Sequence, residues 1–249
     1  MRRFFVEHSP FSDDLYAISG TEARHIKTVL RMQPGDFVEL VDGSGYAYTA
    51  EITKITDTEV LVQVHERYPT GAESHIRLTM AIGFLKEKKM DLLVRHLTEL
   101  GIGKFLPMIT ARSIARPPEK RMISRVERWQ TIAREAVKQS QRGRIPEIAR
   151  PASFEEALEL SHHADNKFIF WENADAALPA PDATATDSTD VFVMIGPEGG
   201  FTEKEAMAAA DKGFTPLSMG PRMLRAETAA ISACTLIQYL YGDIRKKSP

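Results

Sequence analysis

The sequence predicts a two-domain α/β protein in which a small β-barrel domain precedes a larger domain built on a mainly parallel sheet. Up to about residue 68, short runs with the two-residue alternation of strands are divided by Gly and Asp turns. Beyond residue 75, strand-like runs alternate with longer amphipathic helical runs, which is typical of an α/β domain. The polar stretch 69–75 contains Pro and Gly and separates the two patterns. We therefore predict domains over residues 1–70 and 71–249, a length sufficient for two hydrophobic cores.

The first domain is predicted to contain four strands and one helix. The helix, over residues 21–32, is expected to begin at a capping box formed by Ser19 and Glu22. Pro34 and Gly35 then end it. The predicted strands are residues 3–7, 36–41, 46–55 and 59–66.

The second domain is predicted to alternate five strands with five helices. Residues 173–190 consist mostly of Ala, Asp, Thr and Pro with almost no large apolar residue, so we expect an exposed loop there. The predicted strands are residues 78–82, 104–109, 167–171, 191–195 and 216–219. The predicted helices are residues 88–100, 120–141, 154–162, 203–212 and 227–241.

The charge balance argues against the uniformly positive surface of a protein that coats nucleic acid without specificity. The chain has 32 Lys and Arg against 34 Asp and Glu, a net charge of −2, so any RNA contact is expected from local patches. The single cysteine, Cys234, excludes an internal disulfide framework. It is predicted to be a buried structural thiol in a reducing, cytoplasmic setting. No run is apolar enough for a signal peptide or a membrane span, so a soluble protein is expected.

Two features look like binding motifs but favour structural roles. The Asp-Gly-Ser-Gly stretch 42–45 precedes a strand-like run, whereas a phosphate-binding glycine loop must open a helix, so we predict a hairpin turn. His162 and His163 are adjacent, and neighbouring side chains on a helix diverge, which makes them a poor metal pair. We expect no metal site, and the lack of a Walker-type loop argues against NTP hydrolysis.

The segment 195–202, called the glycine loop below, has the composition of a ligand-binding loop. A buried strand ends at Ile195, and the sequence Gly-Pro-Glu-Gly-Gly-Phe-Thr then leads into a helix at Glu203. Its glycines allow the backbone to approach a ligand closely, and Thr202 is predicted to cap the helix. The alternative is a tight strand-to-helix turn without a ligand.

The segment 219–225, called the arginine loop below, repeats this strand-to-helix arrangement. Arg222 and Arg225 lie beside Gly220. Glu227 follows in the first helical turn, where the helix dipole favours a carboxylate. A solvated basic loop with a capping Glu is the alternative.

Together, the two loops resemble the paired motifs of the ribosomal RNA small subunit methyltransferase E family, which belongs to the knotted SPOUT class. Residues 196–202 read Gly-Pro-Glu-Gly-Gly-Phe-Thr, and residues 219–230 read Met-Gly-Pro-Arg-Met-Leu-Arg-Ala-Glu-Thr-Ala-Ala. The resemblance spans nearly the whole chain and includes residues 2–5, 86–101 and 128–146. The chain departs from the family's pattern at Ala111, Gly143, Met223 and Ala226.

The resemblance implies a fold, a cofactor and an assembly. The first domain would be a PUA-like barrel that binds RNA, and the second a SPOUT methyltransferase domain tied in a deep trefoil knot. The knot would bind S-adenosylmethionine across three loops, with Leu224 and Met219 packing on the adenine. Members of the family form homodimers through their knot helices. The run 229–240 consists of small and apolar residues, which suits close packing of helices, although such runs more often belong to the core of one chain. The implied cofactor-binding residues are Phe170, Trp171, Glu172, Ile195, Gly196, Pro197, Glu198, Gly199, Gly200, Met219, Gly220, Met223, Leu224 and Arg225.

The resemblance also implies a reaction, the methylation of N3 of a uridine in 16S rRNA within the small ribosomal subunit. N3 must lose a weakly acidic imide proton, so the site needs a base, cations that stabilise the uracil anion, or both. We favour Arg225 for stabilising the uracil oxygens, because a guanidinium offers paired donors and stays charged. Glu227 is expected to position Arg225, or to act as the base if its pKa is raised. Glu198 is either a catalytic carboxylate or one that bonds loop amides.

Basic residues in two regions are expected to bind RNA phosphates. The stretch 112–144 contains ten basic residues against three glutamates, and the barrel carries a second group. A solvated helix face is the alternative. The predicted RNA-binding residues are Arg2, Arg3, Arg24, Arg31, Lys86, Arg112, Arg134 and Arg142.

Two other functions stay open at this point. Enzymes of the SPOUT class that methylate the ribose 2′-O usually carry an Asn-x-Gly-x-x-x-Arg segment, and neither Asn166 nor Asn173 begins one here. A non-enzymatic RNA-binding assembly factor that kept the fold is the other possibility. The intact glycine loop disfavours it, and calorimetry with S-adenosylmethionine would distinguish it from an enzyme.

Overall fold

The chain divides into two structural units, each of which is built from two separate stretches of sequence. The first unit consists of Met1–Glu73 and Val137–Ile145, and the second of Ser74–Ala136 and Pro146–Pro249. The computed structural model describes residues 1–6, 15–113, 118–180 and 189–244. The predicted division at residue 70 assigned residues 137–145 to the second domain, whereas their contacts place them in the first unit.

The first unit is built on one five-stranded sheet in the order β1-β3-β4-β5-β2. β1 and β3 pair in parallel, and the other neighbours pair antiparallel. Inward-facing residues of all five strands form one core, which includes Phe4, Leu40 and Tyr48. Residues 42–45 join β3 to β4, so the predicted hairpin is confirmed. The four predicted strands are present over the described residues with small shifts at their ends, whereas β2, which pairs with β5, was not predicted. The elements are β1 (Arg2–Phe5), β2 (Leu15–Ser19), α1 (Gly20–Arg24), β3 (Phe37–Val41), β4 (Tyr46–Ile55) and β5 (Glu59–Pro69).

The predicted helix of this unit is present but irregular. α1 continues into a π-helical turn, His25–Leu30, which ends at Arg31 in the left-handed conformation with φ 53°. The predicted capping box is wrong, because the Ser19 side chain makes no capping hydrogen bond. Glu22 is instead ion-paired with Lys138, so its carboxylate is not available to close the box.

Glu73 ties the stretch Val137–Ile145 to the rest of the first unit. Its carboxylate accepts hydrogen bonds from the backbone N–H groups of Gly143, at 2.8 Å, and of Arg144, at 2.9 Å. A Cβ added at Gly143 would lie 2.3 Å from Oγ1 of Thr70. The glycine that departs from the family's pattern therefore fits the packing of this chain.

The second unit is built on a parallel sheet in the order β12-β10-β11-β6-β7-β8, with β9 also paired to β7. β6 and β11 are buried at almost every residue, so both faces of the sheet are covered. The predicted elements are all present with small shifts at their ends, and the two-residue strands β8 and β9 are additional. The strands are β6 (Arg77–Gly83), β7 (Lys104–Ile109), β8 (Glu147–Ile148), β9 (Ala152–Ser153), β10 (Asn166–Phe170), β11 (Asp190–Ile195) and β12 (Thr215–Leu217). The helices are α2 (Glu87–Glu99), α3 (Glu119–Ser140), α4 (Phe154–Leu160), α5 (Glu203–Asp211) and α6 (Ala226–Leu240), and the last four residues of α3, Val137–Ser140, belong to the first unit.

Buried side chains fix the helices of the second unit against its sheet. Trp129 of α3 is buried beside Phe84 and Phe105, and its indole N–H donates to a carboxylate oxygen of Asp91 at 3.0 Å. Cys234 is buried in α6, as predicted. In the described part of the chain, no helix has the length and apolar character needed to cross a membrane. The trefoil knot implied by the resemblance stays a prediction.

Candidate active site

A cavity of about 550 Å³ lies at the carboxyl ends of β10, β11 and β12. Ligands of parallel α/β sheets bind at this edge, and the volume is typical of a small-molecule site. The connection after β10, the glycine loop and the arginine loop line the cavity, together with Ala226 and Ala229 of α6. The two loops selected from the sequence therefore meet at one site.

The predicted cofactor-binding residues gather around this cavity with one exception, since Arg225 does not line it. Neighbours of the predicted residues complete the lining. Pro221 and Arg222 lie within the arginine loop, and for the others adjacency to the predicted residues was the only signal. The predicted residues in the lining are Phe170, Trp171, Glu172, Ile195, Gly196, Pro197, Glu198, Gly199, Gly200, Met219, Gly220, Met223 and Leu224. The remaining lining residues are Ala174, Asp175, Leu217, Ser218, Pro221, Arg222, Ala226 and Ala229.

The glycine loop is packed so closely that side chains are excluded at several positions. A Cβ added at Gly196 would lie 3.0 Å from the carbonyl carbon of Gly200. Gly200 has a φ of 68°, and its added Cβ would lie 2.6 Å from a carboxylate oxygen of Glu172. At the end of β6, a Cβ on Gly83 would lie only 2.3 Å from the backbone nitrogen of Pro197. The shape of the loop therefore depends on glycines within it and beside it.

Thr202 caps α5, as predicted, through a reciprocal capping box. Its hydroxyl accepts a hydrogen bond from the Glu205 backbone N–H, and the Glu205 carboxylate accepts one from the Thr202 N–H at 2.8 Å. Glu205 is 8% exposed, and its second oxygen accepts from the Ala111 N–H at 2.8 Å. The cap therefore also fixes the end of the glycine loop to the chain that leaves β7.

Arg112, which was predicted to bind RNA, braces the glycine loop. Its Nη1 donates to the carbonyl oxygens of Gly199, at 2.8 Å, and Phe201, at 3.2 Å. The same nitrogen lies 3.9 Å from a carboxylate oxygen of Glu172 in the connection after β10. Its side chain is 49% exposed, so the RNA role stays a prediction beside this structural one.

The two candidate catalytic carboxylates share one lysine. Lys89, in the first turn of α2, places Nζ 3.0 Å from Oε2 of Glu227 and 3.3 Å from Oε1 of Glu198. Their side chains are between 20% and 31% exposed. Sequence reasoning included Lys89 in the family resemblance but gave it no role, because no local pattern connects it with either glutamate.

The electrostatics of this cluster do not suit Glu227 to act as a base. Burial acts to raise the pKa of Glu227, but hydrogen bonds from its own backbone N–H and from Lys89, with the nearby positive charges, lower it below its ordinary value of 4.5. The pKa of Lys89 is raised, chiefly by its hydrogen bond to Glu227. The raised pKa that a catalytic base role required of Glu227 is therefore not found, and Glu227 is ion-paired with Lys89 rather than with Arg225.

The arginine loop presents its two cations to solvent. Arg222 and Arg225 are exposed, and within the described ranges neither guanidinium forms a hydrogen bond or an ion pair. Arg225 is the cap residue of α6, with extended backbone angles. Met223, between them, is 82% exposed. Within the described residues, the arginine loop thus carries two guanidinium groups without ion-pair partners and an exposed apolar side chain beside the cavity.

The remaining predicted RNA-binding residues differ in accessibility. Arg3 is ion-paired with a carboxylate of β3 and is 17% exposed in its side chain. The prediction for Arg142 is wrong, because this residue is 3% exposed and is ion-paired with Glu73 at 2.9 Å. Arg116 and the side chain of Lys120, from the same basic stretch, lie outside the described residues. The exposed members are Arg2, Arg24, Arg31, Lys86 and Arg134.

His162 and His163 lie in the turn after α4 rather than on a helix. Their ring centroids are 3.5 Å apart, so the expectation that the two side chains diverge is wrong. Across the described residues, no three His, Cys, Asp or Glu side chains are grouped as they would be to hold a metal ion.

The lowered pKa of Glu227 predicts a pH-dependent contribution to stability. A depressed carboxyl pKa stabilises the fold above the unfolded-state value, here 4.5, and this contribution is lost as the pH falls through the folded-state pKa. We expect Glu227→Gln to melt roughly 2 to 4 °C below wild type near neutral pH, the shift for a loss of about 1 kcal/mol in a protein of this size. The difference should shrink below pH 4.5 in calorimetric scans. Glu127→Gln, which changes an exposed carboxylate of α3, is the matched control, and a difference that persists in acid would contradict the assignment.

Comparison with known proteins agrees with this geometry. A family model described as an RNA methyltransferase domain matches residues 72–238, and one described as an RNA methyltransferase PUA domain matches residues 18–64. The ribosomal RNA small subunit methyltransferase E of Bacillus subtilis is 29% identical over 98% of this chain and 100% of its own length. The Synechocystis enzyme of the same name is 30% identical, covering 96% of this chain and 77% of that protein.

A solved structure gives the same result at the level of the fold. The Neisseria gonorrhoeae ribosomal RNA small subunit methyltransferase E, bound to S-adenosyl methionine, matches with a TM-score of 0.86 and 30% identity. The match covers 98% of this chain and 99% of that one. The predicted SPOUT-type α/β domain with an amino-terminal PUA-like domain is thereby confirmed. This chain belongs to the ribosomal RNA small subunit methyltransferase E family.

Proposed function

We propose that this protein transfers a methyl group from S-adenosylmethionine to N3 of a uridine in the 16S rRNA of the small ribosomal subunit. The observation that carries the proposal is the cavity in which the glycine loop and the arginine loop meet at the carboxyl ends of three parallel strands. Family membership supports the reaction, and the related Neisseria structure with S-adenosyl methionine supports the cofactor.

The residues around the cavity fit this cofactor. Gly196, Gly199 and Gly200 line the cavity and have no side chains, so their peptide groups can approach the edge of an adenine ring. Met219 and Leu224 supply apolar surface for packing on its face. The indole N–H of Trp171 is buried and has no hydrogen-bond partner among the described residues, which leaves a donor for a ligand. When bound, S-adenosylmethionine would supply an electrophilic methyl group.

The arginine loop has the charge that methylation at N3 needs. Uracil N3 becomes nucleophilic when it loses its proton, and the negative charge then spreads onto the neighbouring carbonyl oxygens. Arg225, assisted by Arg222, would orient uracil and stabilise this anion through paired N–H donors. Glu198 and Glu227 are already ion-paired with Lys89, so we assign the proton to solvent water rather than to either carboxylate.

We further propose that the protein acts as a homodimer through α6. Leu236 and Tyr239 of this helix are 41% and 47% exposed, and Ile244 just beyond it is 46% exposed. Large apolar side chains grouped in this way are typical of a surface that a second copy covers. The proposed substrate, the assembled small subunit, would place this dimer in the cytoplasm.

Mapping the modified nucleoside tests the proposed function. Small subunits from cells that lack the gene would be incubated with the purified protein and S-adenosylmethionine, and their RNA analysed by mass spectrometry. We expect 3-methyluridine at one position, and little product on naked RNA. Ribose 2′-O-methylation or a methylated cytidine would reject the N3 assignment. Cofactor binding without any product would favour a non-enzymatic assembly factor.

The exposed basic residues predict a salt-dependent RNA affinity. Each phosphate contact contributes about 0.7 to 0.9 to the slope of log affinity against log salt concentration. We expect Arg24→Ala and Arg134→Ala each to lower that slope by about this amount and to leave cofactor affinity unchanged. Arg150→Ala, an exposed arginine outside both predicted patches, is the matched control. Slopes that equal wild type, measured by filter binding across a salt series, would reject these residues as RNA contacts.

A further inference from the structure

Lys89 does not line the cavity, and the proposed reaction gives it no role. It lies on α2, whereas its two partners lie in the glycine loop and in the first turn of α6. Its ammonium group therefore joins two segments that are far apart in the sequence, on either side of the arginine loop. Lys89 is not among the residues that line the cavity, and within the described residues its ion-pair partners are these two carboxylates.

The charges around the cavity explain why this link matters. Glu198 and Glu227 carry negative charge, and Arg222 and Arg225 carry positive charge in the loop just before α6. Arg225 precedes Glu227 by two residues, and its charge already contributes to the lowered pKa of Glu227. A carboxylate without another partner would attract the nearest guanidinium. In the structure Lys89 is ion-paired with both carboxylates, and the guanidinium groups are exposed.

We propose that Lys89 is a positioning residue that holds Glu198 and Glu227 away from Arg225 and so keeps the Arg225 guanidinium available for the substrate. The inference rests on the proposed function, in which Arg225 stabilises the uracil anion. Removal of the lysine charge would leave two partly buried carboxylates without their cation. Glu227 would then pair with Arg225, which would withdraw the cation that the reaction needs.

The geometry also predicts which step Lys89 affects. The glycine loop is held independently by the Thr202 cap and by Arg112, so the cofactor cavity should keep its shape without Lys89. The loss should therefore appear in turnover and not in cofactor affinity, because the misplaced group acts on the transition state. This separation distinguishes positioning of Arg225 from a general structural role.

The test compares Lys89→Met, Lys89→Arg and the double variant Lys89→Met with Glu227→Gln. We expect Lys89→Met to lower kcat at least 20-fold while the S-adenosylmethionine Kd from calorimetry changes less than threefold. Lys89→Arg should keep most of the activity because it preserves the charge. The double variant should recover at least fivefold over Lys89→Met, because the neutral amide no longer attracts Arg225, and it should fold even if Lys89→Met does not.

Two results would overturn the inference. One is a Lys89→Met variant with wild-type kcat, and the other is a double variant that folds but is no more active than Lys89→Met alone. An inactive wild type in the mapping experiment would instead reject the proposed function, so the two failures are separable. Arg95→Ala, an exposed cation on the same helix, is the control for a general charge effect.

Discussion

Gly83→Ala is expected to abolish cofactor binding and to destabilise the second unit. Gly83 is the last residue of β6, and an added Cβ would lie 2.3 Å from the backbone nitrogen of Pro197 and 2.7 Å from the carbonyl carbon of Gly196. These are backbone atoms, so no flexible side chain can move to make room. Overpacking of this kind typically costs 1 to 3 kcal/mol and sometimes more, and we expect about 3 kcal/mol here. The glycine loop would have to move, and it forms part of the cavity wall.

Calorimetric titration with S-adenosylmethionine and thermal unfolding measure the two effects of Gly83→Ala. Gly103→Ala is the matched control, because its Cβ would meet only Leu78 backbone atoms at 3.7 Å and 3.8 Å, ordinary contact distances. We expect the control to bind cofactor as wild type does. A Gly83→Ala protein that folds and binds cofactor with wild-type affinity would show that the glycine loop is not held as tightly as its geometry indicates.

Elements that a local residue pattern marks could be predicted from the sequence, whereas elements that form only through pairing with distant residues could not. β6 and β11 consist mostly of apolar residues, which is why their bounds agree closely with the prediction. β8 and β9 have two residues each and exist only through pairing with β7, so no local pattern reports them. The prediction of the Ser19 capping box was wrong for the same reason, because the carboxylate of Glu22 accepts a hydrogen bond from Lys138, which is 116 residues away in the sequence.

In the candidate site too, residues that constrain the local backbone could be predicted from the sequence, whereas contacts between distant charged side chains could not. Glycines, a proline and a capping threonine mark the glycine loop in the sequence because each constrains the local backbone. Charged side chains carry no such local signal. Arg142 was predicted to bind RNA but is buried against Glu73. Arg112 keeps its predicted RNA role and also donates to the glycine loop, a contact that no local pattern reports. Lys89 acquires its role only through partners on two distant segments.

Arg225→Ala is expected to lower kcat by at least 100-fold and to leave the S-adenosylmethionine Kd within about threefold of wild type. A donor that acts on charge developing in the transition state is typically worth a factor of 10² to 10³ in turnover. The small effect on cofactor affinity follows from the structure, because Arg225 does not line the cavity. Single-turnover methylation of small subunits, with calorimetry for the cofactor, separates the two quantities.

The choice of variants separates the charge of Arg225 from its shape. Arg225→Lys keeps the positive charge but loses the paired donors, so its kcat should fall between those of wild type and Arg225→Ala. Arg95→Ala, on α2, removes an exposed arginine away from the cavity and should turn over normally.

Equal loss of kcat and cofactor affinity in Arg225→Ala would assign the residue to the cofactor, as part of the resemblance implies. Full activity would move anion stabilisation to Arg222, the exposed cation that does line the cavity. If instead Arg225→Ala loses turnover as expected, Lys89→Met should cost little further activity in the Arg225→Ala protein, because Lys89 is proposed to act through Arg225.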